Sequence, residues 1–363
     1  QKTMEKHLQR KPLSNEETDH VLRNRTAHER VTVNPDLPKQ ILDQINELLL
    51  QYREAFHTTD TGLCKPLNVP PVTFKMKQNA KPVRVRQQHF NAATEKLAAH
   101  LTRQHLKSGL LEDAHKSSWC SRTHFALKAA SGERHDGPNH GVRECGDCRL
   151  VNEQIEKTVP NVPDGPLMMK RVAKFSHFIE SDWHTACNAL LIHKNHRDIL
   201  TRHTPLGPKR PSRLQFGIKN AQALYYGAKL AIYERDLKPD TRENLYSFID
   251  DDRSGKTADE GWDKFLSRLE DLLKCMCNNN ATLRPEKTRI GFTSTEFFGT
   301  ELSNGKTRVA SKNLLPIKRM HTPTCVGDIR RVLGVFVQSE SHVPNCSMMT
   351  KPLPILLRNN TKS

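Results

Sequence analysis

After Pro38, apolar residues fall at Ile41, Ile45, Leu48, Leu49, Tyr52 and Phe56, a spacing of three and four that predicts a helix with one buried stripe. The several prolines between Cys64 and Pro82 predict extended chain. A second helix is expected from the N-cap residue Asn91 through Leu97, Leu101 and Leu106 to a stop at Gly109. Thr123 to Lys128 reads as a strand, Ala129 to His140 as a loop, and Phe175 to Ile179, with Asp182 following, as another strand. Further helices are expected from Asn220 to about Arg235, with Pro239 just past the end, and from Gly261 to about Met276. The second of these carries Trp262, Phe265, Leu266, Leu269, Leu272, Leu273 and Met276 as a broad apolar face. Arg289 to Thr293 and Glu296 to Leu302 read as strands, the latter ending in the hairpin signal Asn304-Gly305. A last amphipathic helix carries Ile329, Leu333 and Phe336. Residues 1 to about 35 are charged and without period, which predicts a mobile arm or linker. Strands and helices interleave without an internal repeat, so an α+β domain is the economical reading.

One stretch breaks the pattern. Phe248 and Ile249 run straight into Asp250, Asp251 and Asp252, with Arg253, Ser254 and Gly255 behind them, as in a strand that ends in a tight turn. A turn interrupts the alternation of side chains and lets adjacent carboxylates crowd one place. Such crowding calls for a counter-charge, and a divalent cation with hard oxygen ligands supplies one. On its own an acidic doublet is usually a solvated loop, and Asp252 reads as a solvated turn neighbour. Asp182 could close a second strand at the same sheet edge. Three carboxylates there would hold two magnesium ions, one activating a 3′-hydroxyl and one stabilising a leaving pyrophosphate.

Charge favours such a substrate. The chain of 363 residues has 57 Lys and Arg against 40 Asp and Glu, a formal charge of +17, which favours nucleic acid or an acidic membrane surface as partner. No run of eighteen apolar residues occurs and the N-terminal residues have no apolar core, so neither a membrane span nor a secretory signal is expected. Nine scattered cysteines suit reduced thiols in an intracellular protein. His135, His140, Cys145 and Cys148 have a spacing that also suits tetrahedral zinc. Cys275, Met276 and Cys277 read as core packing, and Asp147 as a structural partner of Arg149.

Several blocks occur in order: Ser118-Trp119-Cys120-Ser121, Phe125-Ala126-Leu127-Lys128, Arg143-Glu144-Cys145-Gly146-Asp147-Cys148-Arg149-Leu150-Val151-Asn152 and Phe178-Ile179-Glu180-Ser181-Asp182. Thr204-Pro205-Leu206-Gly207, Leu214-Gln215-Phe216-Gly217-Ile218-Lys219-Asn220-Ala221 and Phe248-Ile249-Asp250-Asp251 follow. Leu283-Arg284-Pro285-Glu286-Lys287-Thr288 and Glu296-Phe297-Phe298-Gly299 complete the series. In order and spacing, over roughly residues 37 to 357, this resembles the reverse transcriptase of LTR retrotransposons of the Ty3/gypsy type, and more distantly retroviral polymerases.

The resemblance implies an α+β right-hand polymerase, with residues 36–305 as fingers and palm. Residues 306–363 would be a thumb or connection segment leading toward a ribonuclease H domain absent from the sequence. Asp182, Asp250 and Asp251 match the catalytic, metal-binding aspartates of the family, which implies two Mg2+ ions, with Mn2+ as a substitute. Lys128 and Arg143 fall where basic residues contact the incoming deoxynucleoside triphosphate. Phe216 and Gly217 match the block near nucleotide and template, and Phe297, Phe298 and Gly299 the region that grips the primer end. Implied partners are an RNA or DNA template, a primer strand and other Pol polyprotein domains (protease, ribonuclease H, integrase), in a cytoplasmic retroelement particle or the nucleus.

The sequence departs from the family pattern at Cys148, Ala189, Gln215, Gln222 and Tyr226, and Ala129 and Ala130 stand where further lysines are common. Cys187, five residues past Asp182, stands where an aromatic normally excludes the ribose 2′-hydroxyl. Two alternatives stay open: a decayed copy that binds nucleic acid without polymerising, and an unrelated basic protein stabilised by zinc.

Overall fold

A computed structural model describes residues 24–56, 64–87, 89–127, 142–159, 163–184, 187–310, 314, 318–319, 321–339 and 342–359. Its first half runs through Thr32–Val33 (β1), Lys39–Gln51 (α1), Ala92–Lys107 (α2), Leu111–Asp113 (β2), Thr123–Leu127 (β3), Val142–Gly146 (β4), Arg149–Gln154 (α3) and Gly165–Val172 (α4). Then come His177–Asp182 (β5), Lys209–Pro211 (β6), Ala221–Asp236 (α5), Pro239–Glu243 (α6), Tyr246–Phe248 (β7), Asp251–Lys256 (β8) and Trp262–Asn278 (α7). Arg289–Phe292 (β9), Thr295–Phe297 (β10), Thr300–Ser303 (β11), Lys306–Val309 (β12), Val326–Ser339 (α8), Cys346–Thr350 (α9) and Pro352–Asn359 (α10) complete the order. None of the helices described is long and apolar enough to cross a membrane.

The central sheet has the order β1-β9-β5-β8-β7 and is antiparallel except for the β1–β9 pair. Neighbouring side chains on a strand point to opposite faces, and β5 separates two cores accordingly. Ile179 packs with Ile45 and Leu49 of α1, with Tyr225, Ile232 and Tyr233 of α5, and with the Phe265, Leu269, Leu272 and Met276 stripe of α7. Phe178 packs on the other side with Met168 and Val172 of α4 and with Phe297 and Leu302. Each fully buried Leu or Phe in these stripes contributes about 1.5–3 kcal/mol of burial.

The helix start at Asn91 and stop at Gly109 stand as expected: Asn91 Oδ1 accepts from Thr94 N at 2.8 Å, and Gly109 adopts φ 75. The run from Glu296 to Leu302 is not one strand. Phe298 and Gly299 both turn left-handed, at φ 51 and 73, and split it into the β10–β11 hairpin, while Asn304-Gly305 makes the next turn into β12 as anticipated. Part of the stretch read as a mobile arm is built into the fold, since Ala27 is buried and β1 pairs with β9. Arg268, buried on α7, ties three elements together by donating to Asp240 of α6 at 2.8 Å, to Glu260 at 2.9 Å and to the Gly255 carbonyl of β8 at 2.7 Å.

Candidate active site

Strand β5 carries Asp182 as its last residue, and in register its Cα partner is Asp251, the first residue of β8. Asp250 comes one residue before Asp251, in the turn that joins β7 to β8. Asp182, Glu180, Asp251 and Arg253 therefore share one face of the sheet. The turn is tight because Ile249 sits at φ 54, a left-handed conformation costly for a β-branched residue.

Like charges directly opposite on a sheet destabilise it unless balanced. Two cations supply balance at Asp182: Arg284 Nε lies 3.3 Å from Oδ1 and Lys287 Nζ 3.2 Å from Oδ2. The Asp250 carboxyl is pushed above the ordinary Asp value, first by burial, which Lys229 opposes and Asp182 reinforces. Burial raises Asp251 too, with Arg253 opposing and Asp182 adding to the rise. Asp182 Oδ1 and Asp250 Oδ1 are buried and receive no hydrogen bond. Such hard, under-satisfied oxygens fit a divalent cation chemically. Among the described residues, however, no three His, Cys, Asp or Glu side chains are gathered as a metal-holding group, and Arg284 and Lys287 occupy Asp182 instead.

Asp252 is not a solvated turn residue. Since β8 begins at Asp251, alternation resumes there and sends Asp252 to the helix side of the sheet, where its side chain is 0% exposed. Lys229 of α5, equally buried, lies 2.8 Å from Asp252 Oδ1 and directs its hydrogen bond to the Ile249 carbonyl at 2.9 Å. Burial lowers the pKa of this ammonium, against the opposing pull of Asp252. Trp183 Nε1 donates to Asp252 Oδ2 at 3.0 Å and to Tyr233 Oη at 2.8 Å, and Tyr233 in turn donates to Asp252. Sequence reasoning missed Lys229. Its signal is a charge set into the apolar stripe Tyr225, Ile232, Tyr233 of one helix.

The other expected residues divide. Cys187 is buried in the main core and its thiol is pushed up to about 12, first by burial and then by Asp250. Phe216 is 65% exposed, and its loop is held from behind by Asn152, which donates to the Gly217 carbonyl at 2.8 Å and accepts from Lys219 N at 2.7 Å. Phe297 is buried, while the Phe298 ring meets Phe248 edge-on at 4.5 Å, so the β10–β11 turn touches the strand leading into the acidic turn. Arg143 lies on β4 opposite Ala126, and Lys128 falls outside the described residues, as do His135 and His140 of the zinc spacing. Cys145 pairs with His124 across the β3–β4 hairpin, and burial pushes Cys148 up to about 11. Asp147 is the partner of Arg149, at 2.9 and 2.7 Å, as anticipated.

No family model matches the sequence. The "Retrovirus-related Pol polyprotein from transposon gypsy" of Drosophila melanogaster is 22% identical over 334 residues, which cover 90% of this chain and 30% of that protein. A foamy viral protease-reverse transcriptase solved with double-stranded DNA superposes with a TM-score of 0.75 at 17% identity, over 97% of this chain and 58% of that one. The fold is that of a reverse transcriptase. A foamy viral protease-reverse transcriptase with an RNA/DNA hybrid gives 0.72 at 18% identity, over 94% of this chain and 43% of that one. By sequence the chain is a relative of retrotransposon and retroviral Pol polyproteins, and it spans about a third or less of the curated ones. In this reverse-transcriptase fold the five-stranded sheet carries the acidic turn at its edge.

Proposed function

We propose that the chain is the reverse transcriptase module of an LTR retrotransposon Pol polyprotein, an RNA-directed DNA polymerase acting inside the cell in a retroelement particle or the nucleus. The observation that carries this reading is the direct pairing of Asp182 with Asp251 beside the Asp250 turn. In it, residues 36–305 would form fingers and palm and residues 306–363 the thumb and connection.

Asp182, Asp250 and Asp251 would hold magnesium, or manganese in its place. Bound there, the cations supply the charge that an attacking primer 3′-hydroxyl and a departing pyrophosphate require in an in-line transfer. The chain's own residues do the rest. The β10–β11 turn, seated through Phe298 on Phe248, supports the primer end next to the carboxylates. Phe216, exposed on a loop pinned by Asn152, offers a flat apolar surface to a base. Arg143 and Lys128 would meet the triphosphate of a deoxynucleotide. The charge of +17 favours the template backbone without reading its sequence, as the nucleic-acid complexes of the foamy viral proteins suggest.

The test is primer extension on an RNA template with magnesium. Extension that disappears in Asp250→Asn supports the reading. Template binding without extension by the unmutated protein would instead support a decayed copy.

A further inference from the structure

Beneath the acidic turn lies a charge that the polymerase reading does not use. Lys229 is fully buried, and its ammonium holds both sides of the turn, donating to the Ile249 carbonyl at 2.9 Å before the two aspartates and lying 2.8 Å from Asp252 Oδ1 after them. The same group lies over the Trp183 and Tyr233 rings, at 5.1 and 5.8 Å. Trp183 immediately follows Asp182, and its backbone N–H donates to the Asp250 carbonyl at 2.9 Å while its indole reaches Asp252. One cation and one indole thus join the strand of Asp182 to the turn of Asp250 and Asp251.

A buried ion pair is weak evidence for stability, because a well-packed apolar pair of similar volume often serves as well or better. Its best-attested use is to fix one arrangement among several. Here there is something to fix: Ile249 is held left-handed at φ 54, and the carbonyl that Lys229 grips belongs to that residue. Without the grip, relaxation of the strained Ile249 backbone would move the turn, and with it the Asp250 and Asp251 carboxylates, relative to Asp182.

We infer that Lys229, with Asp252 as its anchor, is a positioning residue that clamps the acidic turn from behind and sets Asp250 and Asp251 against Asp182. This rests on the polymerase reading and adds to it a fully buried residue on the helix-covered side of the sheet.

The test uses the full chain carrying Lys229→Met together with Asp252→Leu, which removes both charges at once and leaves no lone buried ion. Circular dichroism and thermal melting report folding. Primer extension gives kcat and the deoxynucleotide KM, and electron paramagnetic resonance gives Mn2+ affinity without turnover. The clamp predicts a folded protein with unchanged KM and primer-template affinity, kcat down by about a hundredfold, as for a catalytic group displaced by about 1 Å, and weakened Mn2+ binding. Unchanged kcat and Mn2+ affinity in the folded double variant would overturn it. If the double variant does not fold, the isosteric Asp252→Asn decides: lower kcat at unchanged KM supports the clamp, and unchanged kcat refutes it. An unmutated protein without extension, but with Mn2+ binding that either folded variant weakens, sinks the polymerase reading and keeps the clamp. One that neither extends nor binds Mn2+ sinks both.

Discussion

Replacing Arg268 with Met removes the guanidinium that ties α7 to α6 and β8 while keeping most of the side-chain volume. Two losses can be estimated. The Glu260 carboxyl is held down from 4.5 to about 2, first by its hydrogen bond from Arg268, and it is only 23% exposed. At about 1.4 kcal/mol per tenfold change in proton affinity, that depression is worth about 3 kcal/mol at neutral pH. Glu260 also accepts from Thr257 N at 2.8 Å, so roughly 2 kcal/mol of it belongs to Arg268. The Gly255 carbonyl, left without its buried donor, adds about 1–3 kcal/mol. Asp240 is 42% exposed and rehydrates, so nothing is added for it. The variant is expected to be less stable by about 3–5 kcal/mol near neutral pH. A carboxylate with a depressed folded pKa stabilises above its unfolded pKa, and that stability is lost as pH falls toward the folded value. The gap between parent and variant should therefore narrow as pH drops from 4.5 toward about 2. Urea unfolding at a series of pH values measures it. A gap that stays constant through that window, or is absent at neutral pH, refutes the reasoning.

Asp250→Asn should abolish extension yet raise the melting temperature. A carboxyl whose folded pKa is raised, as burial does here, destabilises the fold once pH passes from the unfolded value through the folded one; a lower melting temperature at neutral pH would contradict this. Because Asp250 and Asp251 are both raised in the metal-free protein, protons should compete with Mn2+ for them while the pH is still above the ordinary Asp value of about 3.9, and Mn2+ affinity undiminished down to that pH would count against their role as ligands. If Cys187 stands at the position the resemblance implies, it puts no bulk where an aromatic would exclude a ribose 2′-hydroxyl. Weak discrimination against ribonucleotides is therefore expected, and a strong deoxynucleotide preference in competing kcat/KM measurements would end that idea.

Much of the frame was legible because local chemistry and tertiary packing agree. Asn91 has a side chain that can cap, Gly109 can turn left-handed, and the stripe from Phe265 to Met276 has one face to bury. The split after Phe297 was not legible, since Phe298 adopts φ 51, a conformation its composition does not announce and that packing on Phe248 holds in place. Asp252 failed for a different reason. Whether alternation restarts at Asp250 or Asp251 decides which face receives it, and only pairing with β5 fixes that register. Among the candidate residues, the ordered blocks brought out Asp182, Asp250 and Asp251, but not Lys229, whose partner lies on another element.

The edge contact between Phe248 and Phe298 joins two turns that each hold a non-glycine residue left-handed, at Ile249 and at Phe298 itself. Neither can pivot alone without parting the rings. On the proposed polymerase reading, the turn that would support the growing strand and the turn that would seat its chemistry form one piece, so that advance by one nucleotide would carry the nucleic acid across a fixed anvil.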